Sequence, residues 1–158
     1  MLGLVRQESR FIASAKSSAG ASGLMQLMPA TARWVAKKVG LRDYSWARVT
    51  DVGVNATLGT AYLKQLLAEV DGSPVLAAAG YNAGPGRARR WRDAQPIEGA
   101  IYAESIPFNE TRDYVKKVMA NTVLYSALLG GPMRTLKERM GVIAPRSSIG
   151  RVAAIAVP

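Results

Sequence analysis

The chain has 158 residues, enough for one domain with a hydrophobic core, and its 49% hydrophobic and 20% charged residues exclude a disordered protein. It contains no histidine and no cysteine, which excludes histidine-based catalytic triads, cysteine nucleophiles and the usual zinc sites. Any acid–base chemistry therefore depends on Asp, Glu, Lys or Tyr, and only eleven residues are Asp or Glu.

The net charge is +10 at pH 7. This balance favours a polyanionic partner such as nucleic acid, acidic lipid or an acidic cell-wall polymer. No aromatic-rich nucleic-acid motif accompanies the basic clusters at residues 87–92 and 116–117, and a solvated basic surface explains the charge equally well. The first residues lack the layout of a signal peptide, so we expect either a cytoplasmic protein or a piece of a longer precursor.

The spacing of apolar residues predicts a mostly helical chain without repeats. A helical period covers residues 1–13, and the small residues at 14–23 predict a loop. Proline and glycine signals then delimit further helices at residues 29–39, 55–70, 73–83, 97–105 and 109–129, with a short basic segment up to residue 92 and Asn109 as the cap of the last helix. We expect residues 1–130 to form the domain and residues 131–158 to form a tail, of which 146–158 is a linker-like end.

Glu8 is the carboxylate that does not fit its surroundings. On a helical wheel it is the only polar residue of an apolar face, lying within about 60° of Met1, Leu4, Val5, Phe11 and Ile12. Burying an ionised carboxylate is costly unless it is paired or protonated, and burial raises its pKa. A general acid working near neutral pH needs such a raised pKa. The alternative is that Glu8 pairs with a buried arginine or caps a neighbouring helix.

Other polar residues stand next to predicted helix ends. A Gly/Ser-rich loop follows Glu8 directly and indicates a close approach of the backbone to a ligand. Gln26 lies between apolar residues, and the sequence GYNAGPG at 80–86 ends a helix with an aromatic ring and an amide. Several charged residues, Asp113 among them, surround the start of the last long helix. Ordinary caps and turns would explain the last two features equally well.

Four stretches together resemble the catalytic domain of the soluble lytic transglycosylases, a lysozyme-like family. They are ES at 8–9, GLMQLMPATA at 23–32, YNAGPGR at 81–87 and ESIPFNETRDYV at 104–115, and their order and spacing also match. The resemblance covers residues 1–130 or so. It implies a mainly α, goose-type lysozyme-like fold with little or no β structure.

The resemblance also implies a reaction. Enzymes of this family cleave the β-1,4 bond between N-acetylmuramic acid and N-acetylglucosamine in peptidoglycan without using water, and they leave a 1,6-anhydro sugar. One glutamate performs both proton transfers, and it corresponds to Glu8. Partners are then the glycan strands of peptidoglycan and possible other cell-wall enzymes, not nucleic acid. The resemblance implies a periplasmic location and no metal or other cofactor, and it leaves the oligomeric state open.

A set of substrate-binding residues around Glu8 follows from the same resemblance: Ser17, Gln26, Met28, Tyr81, Asn82, Glu110, Arg112 and Tyr114. Ser17 corresponds to a loop serine that hydrogen-bonds the muramic sugar. Tyr81 would orient Glu8 or steady positive charge, and Glu110 would bind an N-acetyl group or a peptide stem. The chain departs from the family in two places. Gly80 replaces the usual alanine before YNAG, and the helix that normally precedes the glutamate-bearing helix is missing, so we expect an N-terminally truncated domain.

Three other functions remain open at this point. A hydrolase resembling goose-type lysozyme would use a second carboxylate to position water, and Glu104 or Glu110 could serve. A non-catalytic cell-wall-binding module would need no acid at all, so a Glu8→Gln variant would keep its effect. A basic nucleic-acid binder is a weaker fourth reading, and it predicts salt-sensitive binding to DNA.

Overall fold

The computed structural model describes residues 1–146. These residues form helices and two very short strands: α1 (Leu2–Glu8), α2 (Pro29–Lys38), a 3₁₀ turn (Trp46–Arg48), α3 (Val52–Glu69), α4 (Pro74–Ala83), α5 (Pro85–Arg90), β1 (Ile97–Glu98), α6 (Gly99–Ser105), α7 (Asn109–Leu128), α8 (Leu136–Met140) and β2 (Val142–Ile143). The predicted mainly α architecture with little β structure is therefore observed. No helix within this range is both long enough and apolar enough to cross a membrane.

Helix α4 is the centre of the domain. Its N-cap is Ser73, whose side chain accepts a hydrogen bond from the Leu76 backbone N–H (3.3 Å), and Pro74 occupies the first helical position. All residues from 75 to 80 are buried. Because the helix is apolar around its circumference, it must be covered on every side, and α3, α5 and α7 pack around it. Its C-terminal residues Tyr81 and Asn82 thereby end at a defined place beside α7.

Helix α1 packs closely along α7. The close approach depends on Gly3, where a Cβ atom would lie only 2.6 Å from the Val118 carbonyl oxygen and 2.7 Å from the Thr122 nitrogen. Leu4 and Val5 enter the main core from the same helix. The contact sets the position of the last residue of α1, which is Glu8.

Two hydrophobic clusters form the core. The larger one joins α1 and all helices from α3 to α8, and the smaller one joins α2, the first half of α3 and the loops beside them. Tyr62 and Tyr81 pack against both clusters. Their rings lie 5.2 Å apart, and Trp34 contacts Tyr62 edge-on at 6.5 Å. This aromatic row connects the two halves of the core behind the loop at 14–28.

The first helix is shorter than its apolar pattern predicts. It ends at Glu8, and the next residues leave the helix because Arg10 and Phe11 have φ values of +53° and +68°. Phe11 and Ile12 are consequently exposed, by 43% and 55%, and do not belong to the buried face that the wheel assigned to them. Glu8 itself stays on the inner side because Leu4 and Val5, one turn earlier, are buried.

Other helix ends differ in detail. Asn109 is the first residue of α7 and not its cap, since Phe108 occupies the cap position without a side-chain hydrogen bond. The basic segment after Gly84 forms helix α5. Helix α3 begins at Val52, three residues earlier than expected, because the Asp51 carboxylate accepts hydrogen bonds from the backbone N–H groups of residues 53 and 54.

Part of the expected tail packs into the domain. Residues 136–140 form α8, whose N-terminus carries a capping box between Thr135 and Glu138, and β2 pairs with β1. Met140 and Ile143 are buried in the larger core cluster. The domain boundary expected at residue 130 is therefore too early for these residues. The sequence did not indicate α8 because a five-residue helix is too short to show a clear apolar period. The linker expected at 146–158 lies, except for its first residue, outside the described residues.

We predict that Met140→Ala lowers the free energy of unfolding by about 2–4 kcal/mol, because it leaves a cavity in the core. Met133→Ala is the matched control, since its side chain is 87% exposed and its loss should change stability by less than about 0.5 kcal/mol. Chemical denaturation of both variants measures the difference. Equal stabilities would contradict the packing of α8.

Candidate active site

Glu8 ends helix α1 in a partly buried position. The Tyr114 hydroxyl, from the second turn of α7, donates a hydrogen bond to its Oε1 atom. Burial raises the pKa of Glu8 to about 7, and the hydrogen bond from Tyr114 limits the rise because it favours the charged form. Both protonation states are therefore accessible near neutral pH. None of the ion pairs formed by residues 1–146 includes Glu8, so the alternative of a paired arginine is not observed there.

Tyr81 lies close to this carboxyl group. Burial raises the pKa of Tyr81 well above its usual value, and the charge of Glu8 raises it further, which keeps the phenol protonated. The Tyr81 hydroxyl donates a hydrogen bond to the Met25 carbonyl oxygen at 2.8 Å. Because its proton is used for this contact, Tyr81 connects the end of α4 to the loop at 14–28 and does not donate to Glu8.

A pocket opens beside Glu8 along the first turns of α7. It has a volume of about 290 Å³ and is lined by Gln7, Glu8, Asn82, Glu110, Asp113, Tyr114 and Lys117. The Asn82 side-chain oxygen accepts a hydrogen bond from Thr111 at 2.7 Å, which holds its amide against α7. The pocket thus brings together four predicted site residues, namely Glu8, Asn82, Glu110 and Tyr114. It also contains Gln7 and Lys117, which the sequence did not single out.

The other predicted residues do not line this pocket. The Ser17 hydroxyl is exposed in the loop and accepts a hydrogen bond from the Ala21 backbone N–H at 3.0 Å. Met28 is the N-cap residue of α2 and is 43% exposed. Arg112 donates hydrogen bonds to Asn109 and to the Glu104 carbonyl oxygen, so its guanidinium stabilises the turn between α6 and α7.

Gln26 acts inside the loop. Its backbone has a φ of +44°, and its amide nitrogen donates to the carbonyl oxygens of Ala15 (3.0 Å) and Gly23 (2.8 Å). A left-handed backbone at a residue other than glycine is strained and persists where the surroundings impose it. The side chain therefore closes the 14–28 loop, and backbone bridges between Lys16, Ser22 and Leu27 complete the closure.

Asn55 is a positioning residue that the sequence reasoning missed. It is completely buried, and its side-chain oxygen accepts from the Met25 N–H at 2.7 Å, while its amide nitrogen donates to the carbonyl oxygens of Ser22 (3.1 Å) and Val49 (2.7 Å). Together with Tyr81 it thus fixes both backbone groups of Met25. A polar residue on the apolar face of α3, between Val54 and Leu58, was the available signal.

Two glycines make this arrangement possible. Gly23 has a φ of +84°, and a Cβ there would lie 2.6 Å from Asn55 Cγ. A Cβ at Gly59 would lie 2.7 Å from Met25 Cβ. Within residues 1–146 no three carboxylates converge as a metal site would require.

We predict that Asn55→Ala lowers the free energy of unfolding by about 3 kcal/mol, because it removes three buried hydrogen bonds and leaves the Met25 N–H and the Val49 carbonyl oxygen without a partner among residues 1–146. The control is Asn121→Ala, a half-buried asparagine on α7 that forms no side-chain hydrogen bond with residues 1–146. Denaturant unfolding compares the two. A loss of similar size in both variants would contradict the proposed fixing of the loop.

Comparison with known families gives two matches. The family model described as the transglycosylase SLT domain matches residues 1–102. The model of the soluble lytic transglycosylase helical domain matches residues 105–134. The first match covers the 14–28 loop and helices α1 to α5, and the second covers α7.

Individual proteins agree with these matches. The chain is 40% identical over 132 residues to the soluble lytic murein transglycosylase of Salmonella typhimurium, and the alignment covers 82% of this chain but 20% of that protein. The structure of this chain is similar to that of an inactive mutant of the lytic transglycosylase Slt from Pseudomonas aeruginosa. The two share a TM-score of 0.84 and 40% identity over 90% of this chain and 23% of the Pseudomonas chain. The 70 kDa soluble lytic transglycosylase of Escherichia coli gives a TM-score of 0.78 at 36% identity, covering 89% and 22% of the two chains.

The chain spans about a fifth of the length of the curated relatives it matches. The structural similarity confirms the predicted lysozyme-like fold class. From the matched family model and the shared identity, the chain belongs to the transglycosylase SLT domain family.

Proposed function

We propose that this chain is the catalytic domain of a lytic transglycosylase that cleaves the β-1,4 bond between N-acetylmuramic acid and N-acetylglucosamine in peptidoglycan and forms a 1,6-anhydro product. The observation that carries the proposal is the partly buried Glu8, whose pKa burial raises to about 7 and whose carboxyl group has one hydrogen-bond partner within residues 1–146, the Tyr114 hydroxyl. The family relationship supports the reaction class and the substrate. Acting on murein, the protein would work in the periplasm.

In the first step protonated Glu8 donates its proton to the glycosidic oxygen, and the bond from that oxygen to C1 of the muramic sugar breaks. Burial favours the proton-bearing form before this step, and the Tyr114 hydroxyl stabilises the carboxylate that forms. The positive charge that develops at C1 needs a second stabiliser, for which we propose the substrate's own N-acetyl group. Tyr81, held by its hydrogen bond to the Met25 carbonyl oxygen, is proposed to orient Glu8 or to steady this positive charge.

In the second step the same carboxylate takes the proton of the C6 hydroxyl, and the C6 oxygen bonds to C1. Glu8 recovers its proton, so the cycle needs no second acid and no water. A Glu8 pKa near neutrality suits both steps, because at neutral pH the protonated form can donate its proton and the carboxylate form can accept one. Asn82 and Glu110 border the pocket and are the proposed contacts to sugar or peptide groups, whereas Ser17, Gln26, Met28 and Arg112 contribute farther from the carboxyl group.

A hydrolase is the second candidate, since Glu110 and Asp113 line the same pocket as Glu8. In a hydrolytic mechanism one of these carboxylates would activate water for attack on C1. The two reactions give different products. The anhydro product is one water lighter than the hydrolysis product and has no reducing muramic end.

The test is mass spectrometry of muropeptides after incubation of purified peptidoglycan with the protein. We expect anhydro-muropeptides from the unchanged chain and a rate reduced about 10²–10⁴-fold in Glu8→Gln, as for loss of a general acid. Glu104→Gln is the matched control, because this glutamate is exposed and pairs with Lys116. Reducing-end products would establish the hydrolase, and equal rates in both variants would remove Glu8 from the mechanism.

We also predict a pH-dependent effect of Glu8 on stability. Because folding raises the pKa of Glu8 from 4.5 to about 7, ionising it disfavours the folded state, and this cost develops between pH 4.5 and about 7. Glu8→Gln should therefore increase the free energy of unfolding at pH 8 by up to about 3 kcal/mol, and should leave it unchanged at pH 4. Urea unfolding at the two pH values measures this. A stabilisation of equal size at both pH values would show that ionisation is not its cause.

A further inference from the structure

A second pocket lies on helix α2 and the loop that follows it. It has a volume of about 480 Å³ and is lined by Arg33, Ala36, Lys37, Gly40, Leu41, Arg42 and Tyr44. We call it the α2 basic pocket. It shares no residue with the pocket beside Glu8. Nothing in the proposed cleavage reaction uses it.

The three cations of the α2 basic pocket have no acidic partner. All eleven Asp and Glu residues lie within residues 1–146, and none of them forms an ion pair with Arg33, Lys37 or Arg42. The neighbouring Asp43 instead pairs with Arg48 at 2.6 Å. The C-terminal dipole of α2 accounts for a lysine in its last turn. It does not account for an arginine in the helix middle and another in the loop, whose like charges line the same pocket.

Tyr44 provides a second, independent observation. Its hydroxyl group is shielded from solvent and has no hydrogen-bond partner among residues 1–146. Burial raises the pKa of Tyr44, and the charge of Arg33 opposes the rise, which indicates that the guanidinium lies near the hydroxyl. Buried polar groups are normally satisfied, so this one calls for a partner. An oxygen atom of a ligand in the α2 basic pocket, which Tyr44 lines, would supply it.

The remaining lining limits the ligand further. Ala36 is 3% exposed and forms, with Leu41, an apolar surface next to the charges. Gly40 has no side chain to obstruct the entrance. The pocket therefore suits a carboxylate that is attached to a small aliphatic group, more than a bare inorganic ion.

We propose that the α2 basic pocket binds the carboxylates of peptidoglycan peptide stems at a point separate from the cleavage site. Stem peptides carry free carboxylates next to alanine methyl groups, which is the chemistry that the pocket offers to recognise. The proposal rests on the proposed function, because it takes peptidoglycan as the polymer that the domain holds. A second point of attachment would raise the affinity for strands that carry peptides without a change in the reaction.

The test compares binding to two soluble glycan preparations, one with its peptide stems and one from which an amidase has removed them. All proteins carry Glu8→Gln to prevent cleavage. The pocket variant is Arg33→Ala/Lys37→Ala/Arg42→Ala, and the control Arg6→Ala/Lys64→Ala/Arg90→Ala removes the same charge from exposed residues without side-chain ion pairs or hydrogen bonds within 1–146. Affinities are measured by thermophoresis at low salt.

We expect the pocket variant to bind peptide-bearing strands about five- to tenfold more weakly than its parent, and to bind peptide-free strands with unchanged affinity. The control variant should show less than half of that reduction in affinity for peptide-bearing strands. Equal losses in the two variants, or an equal loss on peptide-free strands, would show general charge attraction and overturn the proposal. Cleavage of peptidoglycan by the chain that retains Glu8 is assayed in parallel. Absence of cleavage would contradict the proposed function, whereas loss of the binding difference alone would contradict the pocket.

Tyr44→Phe is a second variant that keeps the charge. Because the hydroxyl has no hydrogen-bond partner among residues 1–146, its removal should leave the thermal stability unchanged or slightly higher. We expect it to weaken binding to peptide-bearing strands about two- to fivefold. Unchanged binding would exclude the hydroxyl from the site and, together with equal losses in the two triple variants, would contradict the pocket as a whole.

Discussion

The close contact between α1 and α7 determines the rest of the site. Gly3 lets the two helices approach until backbone and side chain meet, and five residues later the chain ends α1 at Glu8. The same contact places the carboxyl group against Tyr114, which is 106 residues away in the sequence. Any side chain at position 3 would push α1 outward, and the hydrogen bond, the burial and the raised pKa of Glu8 would change together.

The loop at 14–28 is fixed by a different kind of interaction. Met25 has its backbone N–H bound by Asn55 and its carbonyl oxygen bound by Tyr81. One of these partners comes from α3 and the other from the end of the central helix α4, so the 14–28 loop is attached to two rigid elements. A loop rich in small residues would otherwise lose much conformational entropy on ordering. Three buried hydrogen bonds from one asparagine offset that cost locally.

How much the sequence could predict depended on the range of the interaction. The partly buried position of Glu8 followed from the apolar neighbours Leu4 and Val5, although the wheel continued too far because it could not show the left-handed turn at residues 10–11. Asn55, like Glu8, is a polar residue on the apolar face of a helix. The same search could therefore have found it. Periodicity could not find the contacts of Tyr81 and Tyr114, because it contains no information on long-range pairs. Only the family resemblance placed both residues near Glu8. Helix α8 was too short for periodicity, yet its capping box is visible in the sequence.

The placement of charge explains how so basic a domain can keep a protonated acid. A cation in contact with Glu8 would stabilise its carboxylate and lower its pKa, so proton donation near neutral pH would be lost. The hydrogen-bond partner of Glu8 is instead the neutral phenol of Tyr114. Its hydrogen bond lowers the pKa of Glu8 less than burial raises it. Lys117 lines the same pocket, but no ion pair within residues 1–146 includes Glu8. Other cations lie in surface ion pairs and in the α2 basic pocket. A polymer that carries carboxylates can thus be attracted by the positive surface while the reacting bond meets an acid whose pKa is set by burial.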